Sequence, residues 1–492
     1  MPVEPTTTAL LLLGCGILLV LGVLASRIST VSGIPVLLCF LGVGILAGSE
    51  GLGGIHFEDY TLTFRIGTAA LVLILFDGGL NTGLVAFRRR LAPASVLATA
   101  GVILTAILVA LAAMAFGLGT GEAILLGAVV SSTDAAAVLA VLRNSGLSLR
   151  RRVGTTLELE SGLNDPVAVI LTVAATTALA EGQPLGVGLI SQVLVQLVVG
   201  AVAGFLIGKA TTWVLARFSL GSTGLYPVFT LGCAGIAFAV PTLLWGSGFL
   251  AVYIAAIIIG NAHLPHSSTV RRVHDALAWF AQVGMFLLLG LLVFPSRLIE
   301  AAPIGLALAL ALVIFARPLA VAACLLPFRF PLKETAFIGW VGLRGAVPIL
   351  LAAYPVLMGV ADTERIFDIV FFIVVVNAIL PGSTVAWTTR RLGLEADVPP
   401  SPEAILEIDA QHNLPRNLVP FYVRAGSEAA GRPLSELTFP EEVSVALIVR
   451  GQDLVTPKGR TDLRPGDHAY LICGQEDLPA LRQLFAEPDA VE

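Results

Sequence analysis

The chain is 492 residues long, 56% hydrophobic and only 13% charged, with a mean hydropathy of +0.91 and a formal net charge of −5. That composition excludes an ordinary soluble domain, and five cysteines without paired spacing exclude a disulfide framework or a thiolate metal site. The charge is uneven: residues 396–492 hold 16 acidic and 8 basic side chains, leaving 18 acidic and 21 basic for the rest, so a long membrane domain precedes an acidic, water-soluble tail.

Apolar runs of about 17–25 residues mark spanning helices, and the chain holds about 13 of them. The first four are 7–25, 32–49, 61–77 and 94–116. The first lacks the basic flank and cleavage site of a signal peptide and is kept as a span. Helix 5, 121–142, carries "SSTDAAAV" (131–138), and helix 6, 154–181, carries "LELESGLNDPVAVILT" (157–172). Helices 7 to 11 follow at 187–216, 225–244, 246–262, 274–294 and 302–326. Helix 12, 334–358, carries "GLRGAVPI" (342–349), and 366–388 is the last. With the N-terminus outside, the inner loops hold Arg27, Arg88 to Arg90, Arg143, Arg150 to Arg152, Arg217, Arg271, Arg272, Arg329, Lys333, Arg390 and Arg391. The outer loops hold only Arg297 and Arg365. This is the positive-inside asymmetry, and it places the tail in the cytoplasm.

An odd count suits two six-helix units of opposite orientation around a linking helix, an inverted repeat. Helix 5 then corresponds to helix 12. Both are runs of small residues broken by one charge, poor as continuous helices and suited to broken spans whose loosened backbone faces a cavity.

On helix 6, Glu158, Ser161 and Asp165 fall at i, i+3 and i+7, one polar stripe, with Glu160 and Asn164 on its flank. A carboxylate at the bilayer centre costs roughly 2.5–3.5 kcal/mol on insertion scales, so the stripe must face protein or water. Thr133 and Asp134 on helix 5 add a hydroxyl and a second carboxylate. Arg317 and Arg344 are the cations at membrane depth that could pair with a buried carboxylate, and the sequence leaves open which of them meets Glu160. Hard oxygens suit an alkali cation, and a desolvated carboxylate takes up a proton readily. A group that holds either an ion or a proton, but not both, couples the two.

"FDGGLNT" (76–82), "SSTDAAAV", "LELESGLNDPVAV" and "VGLRGAVPI" resemble the signature motifs of the cation:proton antiporter superfamily in its NhaP/CvrA-like branch, and most closely those of bacterial potassium/proton antiporters. The resemblance covers nearly the whole chain. It implies a homodimer in the bacterial inner membrane, with a mobile core where two broken helices cross. It further implies exchange of K+ or Na+ for H+, and the pair Asn164–Asp165 marks one-for-one, electroneutral exchange. By the same matching Asp165 carries the ion or the proton, Thr133 and Ser161 lend oxygens to the cation, and Asn164 organises the crossing. Asp134 and Glu158 join the ion-site candidates, while Glu160 with Arg344 or Arg317 is a structural pair. The tail, from "FYVRAGSEAAGRPLSEL" through "LRPGDHAYLI", resembles a TrkA C-terminal domain, a small α+β module that in some proteins takes a small ligand such as a nucleotide.

The expected organisation is therefore an exchanger domain at 1–391, a linker at 392–404 and a cytoplasmic regulatory domain at 405–492, with no cofactor and no nucleic-acid partner. A Na+/H+ antiporter of the same fold is the nearest alternative and a gated cation channel a remote one, since no filter loop or charge ring is present. A Walker A motif and HExxH are absent. Asp77 is read as a turn or capping residue and Lys209 as a snorkelling side chain. His56, His263, His266 and His274 are read as loop residues, and His412 and His468 belong to the tail.

Overall fold

The computed structural model describes residues 4–32, 35–182, 187–262, 264–396, 417–451, 453–474 and 476–485. The chain divides into two compact units, Met1–Glu395 and Ala396–Glu492. The first is helical throughout: α1 (Thr6–Ser32), α2 (Val36–Ala47), α3 (Tyr60–Asn81), α4 (Leu84–Val96), α5 (Val102–Ala115), α6 (Thr120–Val129), α7 (Ala135–Asn144), α8 (Arg151–Ala180) and α9 (Val187–Arg217). It continues with α10 (Leu225–Leu243), α11 (Gly248–Gly260), α12 (Ser267–Leu291), α13 (Pro295–Ala311), α14 (Arg317–Leu325), α15 (Leu332–Trp340), α16 (Ala346–Leu357) and α17 (Thr363–Leu392). Among the described residues, nine helical stretches are long and apolar enough to cross a membrane, and four further apolar helices are shorter.

Three local features shape this unit. α4 runs into α5, and α13 into α14, each through one π-helical turn, Leu97–Gly101 and Leu312–Ala316. Such turns widen the helix by one residue and recur at functional sites. The other feature is a pair of interruptions: α6 stops at Val129 and α7 starts at Ala135, while α15 stops at Trp340 and α16 starts at Ala346. Packing sorts the helices into two groups. One contains α1 to α3 and α9 to α12, the other α4 to α8 and α13 to α17, and they meet along α3, α8, α12 and α16.

Two expectations need correction. Asp77 is not in a turn: α3 continues to Asn81, whose Nδ2 donates to both the Asp77 carboxylate and its backbone carbonyl at 3.0 Å. His274 is not in a loop either. α12 begins at Ser267, so the ring is buried, lies 5.0 Å from that of Phe76, and is hydrogen-bonded to the Val270 carbonyl at 2.9 Å. His56 is exposed, His266 sits at the start of α12 with its ring against Tyr226, and Lys209 is exposed on α9. His263, His412 and most of the expected linker lie outside the described residues. The start of that linker is packed: α17 ends at Leu392, and the Leu394 carbonyl accepts from the Arg150 amide at 2.9 Å.

The second unit is a four-stranded antiparallel sheet of order β1-β4-β2-β3, with β1 Asn417–Tyr422, β2 Ser444–Arg450, β3 Asp453–Val455 and β4 His468–Cys473. A short helix, α18 (Leu478–Leu484), closes its apolar face over Phe421, Ile448 and Leu471. Arg450 grips the buried Asp467 carboxylate through two 2.8 Å hydrogen bonds, which hold the guanidinium above its ordinary pKa. His468 is buried in β4 beside the ring of Tyr422.

Candidate functional site

An interrupted helix leaves carbonyls without partners at one broken end and amides at the other, with partial negative and positive charge respectively. Here the two interruptions cross and satisfy each other. The Asp134 amide donates to the Leu343 carbonyl at 2.8 Å, joining the two breaks directly. Asp134 is also the N-cap of α7, accepting from the Ala137 amide at 3.1 Å. The Ala135 amide is taken by Ser161 Oγ of α8 at 3.1 Å. At the negative end of α6, Arg344 Nε donates to the Val130 carbonyl at 2.8 Å, and its Nη1 donates to the Gly342 carbonyl at 2.7 Å. The glycines of "GLRGAVPI" are a packing requirement: a Cβ on Gly345 would collide with the Asp134 carboxylate, and one on Gly342 would lie 2.8 Å from Arg317 Nε.

α8 packs beside this crossing and delivers the polar stripe. Asn164, fully buried, donates through Nδ2 to Thr133 Oγ1 at 2.6 Å. Its neighbour Asp165 is half-buried, hydrogen-bonded to Ser132 and facing the Asp134 carboxylate. Thr133, Asp134, Ser161, Asn164 and Asp165 thus converge on one spot. Glu158 lies two turns along the same face of α8 and is exposed.

Glu160 points the other way, to the far side of the crossing. Its carboxylate meets Arg317 Nη2 at 2.6 Å, with both side chains almost wholly buried. The choice that the sequence left open falls to Arg317, the first residue after the π-helical turn in its helix, while Arg344 is committed to backbone carbonyls.

A cavity of about 430 Å3 is lined by Asp165 and Asp134. Its walls add residues that sequence reasoning did not single out. Tyr253 of α11 crosses Gly162, where a Cβ would overlap its ring, and its hydroxyl lies 3.3 Å from Thr82 Oγ1. Ser132, Asn81, Asp275 and Gln282 also line the cavity. Ser132 belongs to "SSTDAAAV" and Asn81 to "FDGGLNT", so a motif signal covers both. Asp275 and Tyr253 carry no local signal, because only the packing of α11 and α12 against α3 brings them in. Arg143 and Glu158 also line the cavity, with Asp77 and Asp275.

This arrangement sets two carboxylates, Asp165 and Asp134, against one cavity together with the hydroxyls of Ser132, Thr133 and Ser161. It can hold a small desolvated cation or a proton; it offers no nucleophile–base pair for covalent catalysis.

Comparison with known proteins places the chain. The family model described as "Sodium/hydrogen exchanger, transmembrane" matches residues 16–391, and that of the TrkA-C domain matches 418–486. The K(+)/H(+) antiporter NhaP of Alkalimonas amylolytica is 40% identical over 479 residues, covering 97% of this chain and 83% of the relative. The K(+)/H(+) antiporter NhaP2 of Shewanella oneidensis is 40% identical over 482 residues, 96% of this chain and 82% of the relative. In fold, the chain is similar to the solved sodium proton antiporter MjNhaP1 of Methanocaldococcus jannaschii, with a TM-score of 0.69 at 23% identity over 78% of this chain and 99% of that one. With a family match over most of its length, this chain belongs to the sodium/hydrogen exchanger family: it is a multi-pass membrane transporter, not an enzyme.

Proposed function

We propose that the protein exchanges K+ for H+ across the inner membrane of a bacterium, one for one, with Asp165 as the group that holds either. The observation that carries this is the placement of Asp165: it lines the cavity together with Ser132, Thr133, Asp134 and Ser161, hydrogen-bonded to the first and facing the carboxylate of Asp134. Asn164 beside it is neutral, with its Nδ2 donating to Thr133, so the Asn–Asp pair offers a single exchangeable charge. K+ over Na+ rests on the two relatives at 40% identity, both named for K+. Na+ exchange is the nearest other reading, supported by the name of a more distant relative, the Na(+)/H(+) antiporter NhaS2 of Synechocystis, 28% identical over 340 residues.

In this reading Thr133 and Ser161 supply neutral oxygens to the cation, and Asp134 holds the start of α7 while adding negative charge nearby. Glu158 draws cations into the cavity, and Glu160 with Arg317 ties α8 to α14. The nine long and four shorter apolar helices make up thirteen crossings, with α6–α7 and α15–α16 as the broken ones. The π-helical turns in the α4–α5 and α13–α14 spans occupy matching places in two inverted halves. The cavity lies on the side of Arg143 and Asp275, next to the Arg271–Arg272 pair, so by the positive-inside rule it opens to the cytoplasm. α1 leaves almost all of its apolar surface uncovered, a face that a second copy would cover in a homodimer. The linker separates an exchanger domain from a cytoplasmic TrkA-C unit that takes a small ligand.

The test is cation-induced proton movement in proteoliposomes, with K+, Na+, Li+ and Rb+ side by side and Asp165→Asn beside the unaltered protein. K+-driven exchange that disappears in Asp165→Asn supports the reading. Exchange by Asp165→Asn at an unchanged rate rejects the carrier, and a clear preference for Na+ or Li+ rejects the potassium assignment.

A further inference from the structure

A carrier open to one side needs a second route to the other, and along α8 the polar stripe does not stop at Asp165. Thr172 and Thr176 lie seven and eleven residues further toward the C-terminal end, within about 20° of Asp165 around the helix and roughly 10 and 16 Å beyond it. Both side chains are fully buried, and neither hydroxyl has a hydrogen-bond partner among the described residues.

That is unusual for a threonine inside a helix, which ordinarily donates to the carbonyl four residues back. Four other buried threonines of this chain do so: Thr105 to Gly101 at 2.7 Å, Thr156 to Arg152 at 2.7 Å, Thr230 to Tyr226 at 3.0 Å and Thr389 to Val385 at 2.8 Å. An unsatisfied buried hydroxyl is costly, so two of them on the carrier's own face mark a place built for water or an ion in another conformation.

The neighbouring boundary between α3 and α16 is filled by apolar side chains. Leu350 of α16 seats on Gly67 of α3 so closely that a Cβ there would overlap its side chain, and Val169 and Val347 pack around the same cluster. Farther out, the rings of Phe64 and Tyr354 lie 5.3 Å apart, and the Tyr354 hydroxyl bonds Thr177. α3 belongs to one helix group and α8 and α16 to the other, so this packing sits on the boundary where the two groups can shift.

We propose that Thr172 and Thr176 line the outer half of the ion route, supplying hydroxyl oxygens to a desolvated monovalent cation once Leu350 leaves Gly67. The proposal rests on Asp165 being the carrier and names a route that the present cavity does not reach.

The experiment compares Thr172→Val and Thr176→Val, which keep shape and remove the hydroxyl, with Thr172→Ser and Thr176→Ser, which keep it. Initial K+/H+ exchange rates are measured against K+ concentration in right-side-out and everted vesicles. The expected result is a half-saturating K+ concentration raised about three- to tenfold from the outer side in the valine variants, the effect of one lost hydrogen bond. The inner side stays unchanged and the serine variants behave as the unaltered protein. Equal shifts from both sides, no shift from either, or loss of exchange from both sides in a normally inserted valine variant would overturn the proposal. Asp165→Asn, run in parallel, reports on the carrier alone: if it exchanges, that assignment fails whatever the sidedness of the threonine variants.

Discussion

Glu160→Gln separates a structural carboxylate from an ion-binding one. Glu160 and Arg317 are both almost wholly buried and 2.6 Å apart. Among the described residues, Arg317 has no other charged partner within ion-pairing distance and its Nε and Nη1 make no hydrogen bond. Removing one partner of such a pair strands the other charge in a medium that cannot solvate it, which costs about 3–5 kcal/mol. At 1.36 kcal/mol per tenfold change, that lowers the folded-to-unfolded ratio on the order of hundreds- to thousands-fold. Replacing both partners, as in Glu160→Gln with Arg317→Met, removes the stranded charge and should recover most of the loss. The assay is thermal inactivation of purified protein in detergent, followed by the fraction that stays monodisperse after heating. Exchange rates per correctly inserted molecule are measured alongside. The expected order of stability is unaltered protein, then the double variant, then Glu160→Gln. If Glu160→Gln were as stable as the unaltered protein yet showed a much weaker cation dependence of exchange, Glu160 would be a ligand and the pairing argument would be wrong.

Gly345→Ala should reduce exchange sharply, since its new methyl group collides with the Asp134 carboxylate at the crossing and overpacking costs about 1–3 kcal/mol; exchange at the unaltered rate in reconstituted protein would show that the crossing yields freely. One carboxylate alternating between H+ and a monovalent cation moves no net charge, so a solid-supported membrane should record no steady transport current; a current that reverses with imposed potential contradicts the single-carrier scheme. Deleting residues 400–492 should leave an inserted, exchanging protein with an altered pH or ligand dependence, because every residue of the candidate site precedes Leu351. Initial rates against pH in liposomes check this, and superimposable curves would leave the tail without a regulatory role.

Much of the membrane unit is legible in the chain because lipid imposes one-dimensional rules. A span must be apolar over its length, its flanks carry arginine on one side, and a polar stripe at helical spacing must face inward. Spacing alone therefore groups Glu158, Ser161 and Asp165 on one face. Glycines and small residues around Asp134 and Arg344 likewise announce helices that do not run through, because a backbone without bulky side chains is the one that can turn and cross another closely. These are properties of single helices, and a sequence states them directly.

Choices between distant partners are not legible. Arg317 and Arg344 look alike in sequence, and both stand at the right depth. Only the packing of α8 against α14 gives Glu160 to the first, and only the crossing turns the second onto the Val130 and Gly342 carbonyls. Tyr253 and Asp275 enter the cavity because α11 and α12 pack on α3, from segments whose own residues read as plain membrane helix and helix terminus. His274 reads as a loop residue because the charged Arg271, Arg272 and Asp275 around it mark an inner loop, yet tertiary burial against Phe76 places it within α12. The hydroxyls of Thr172 and Thr176 make the same point. A threonine in a membrane helix has a ready carbonyl four residues back, so its sequence context cannot reveal that the bond is left unmade. Periodicity along one helix assigns a face, and the neighbour that meets that face is decided by the free energy of packing all the helices at once.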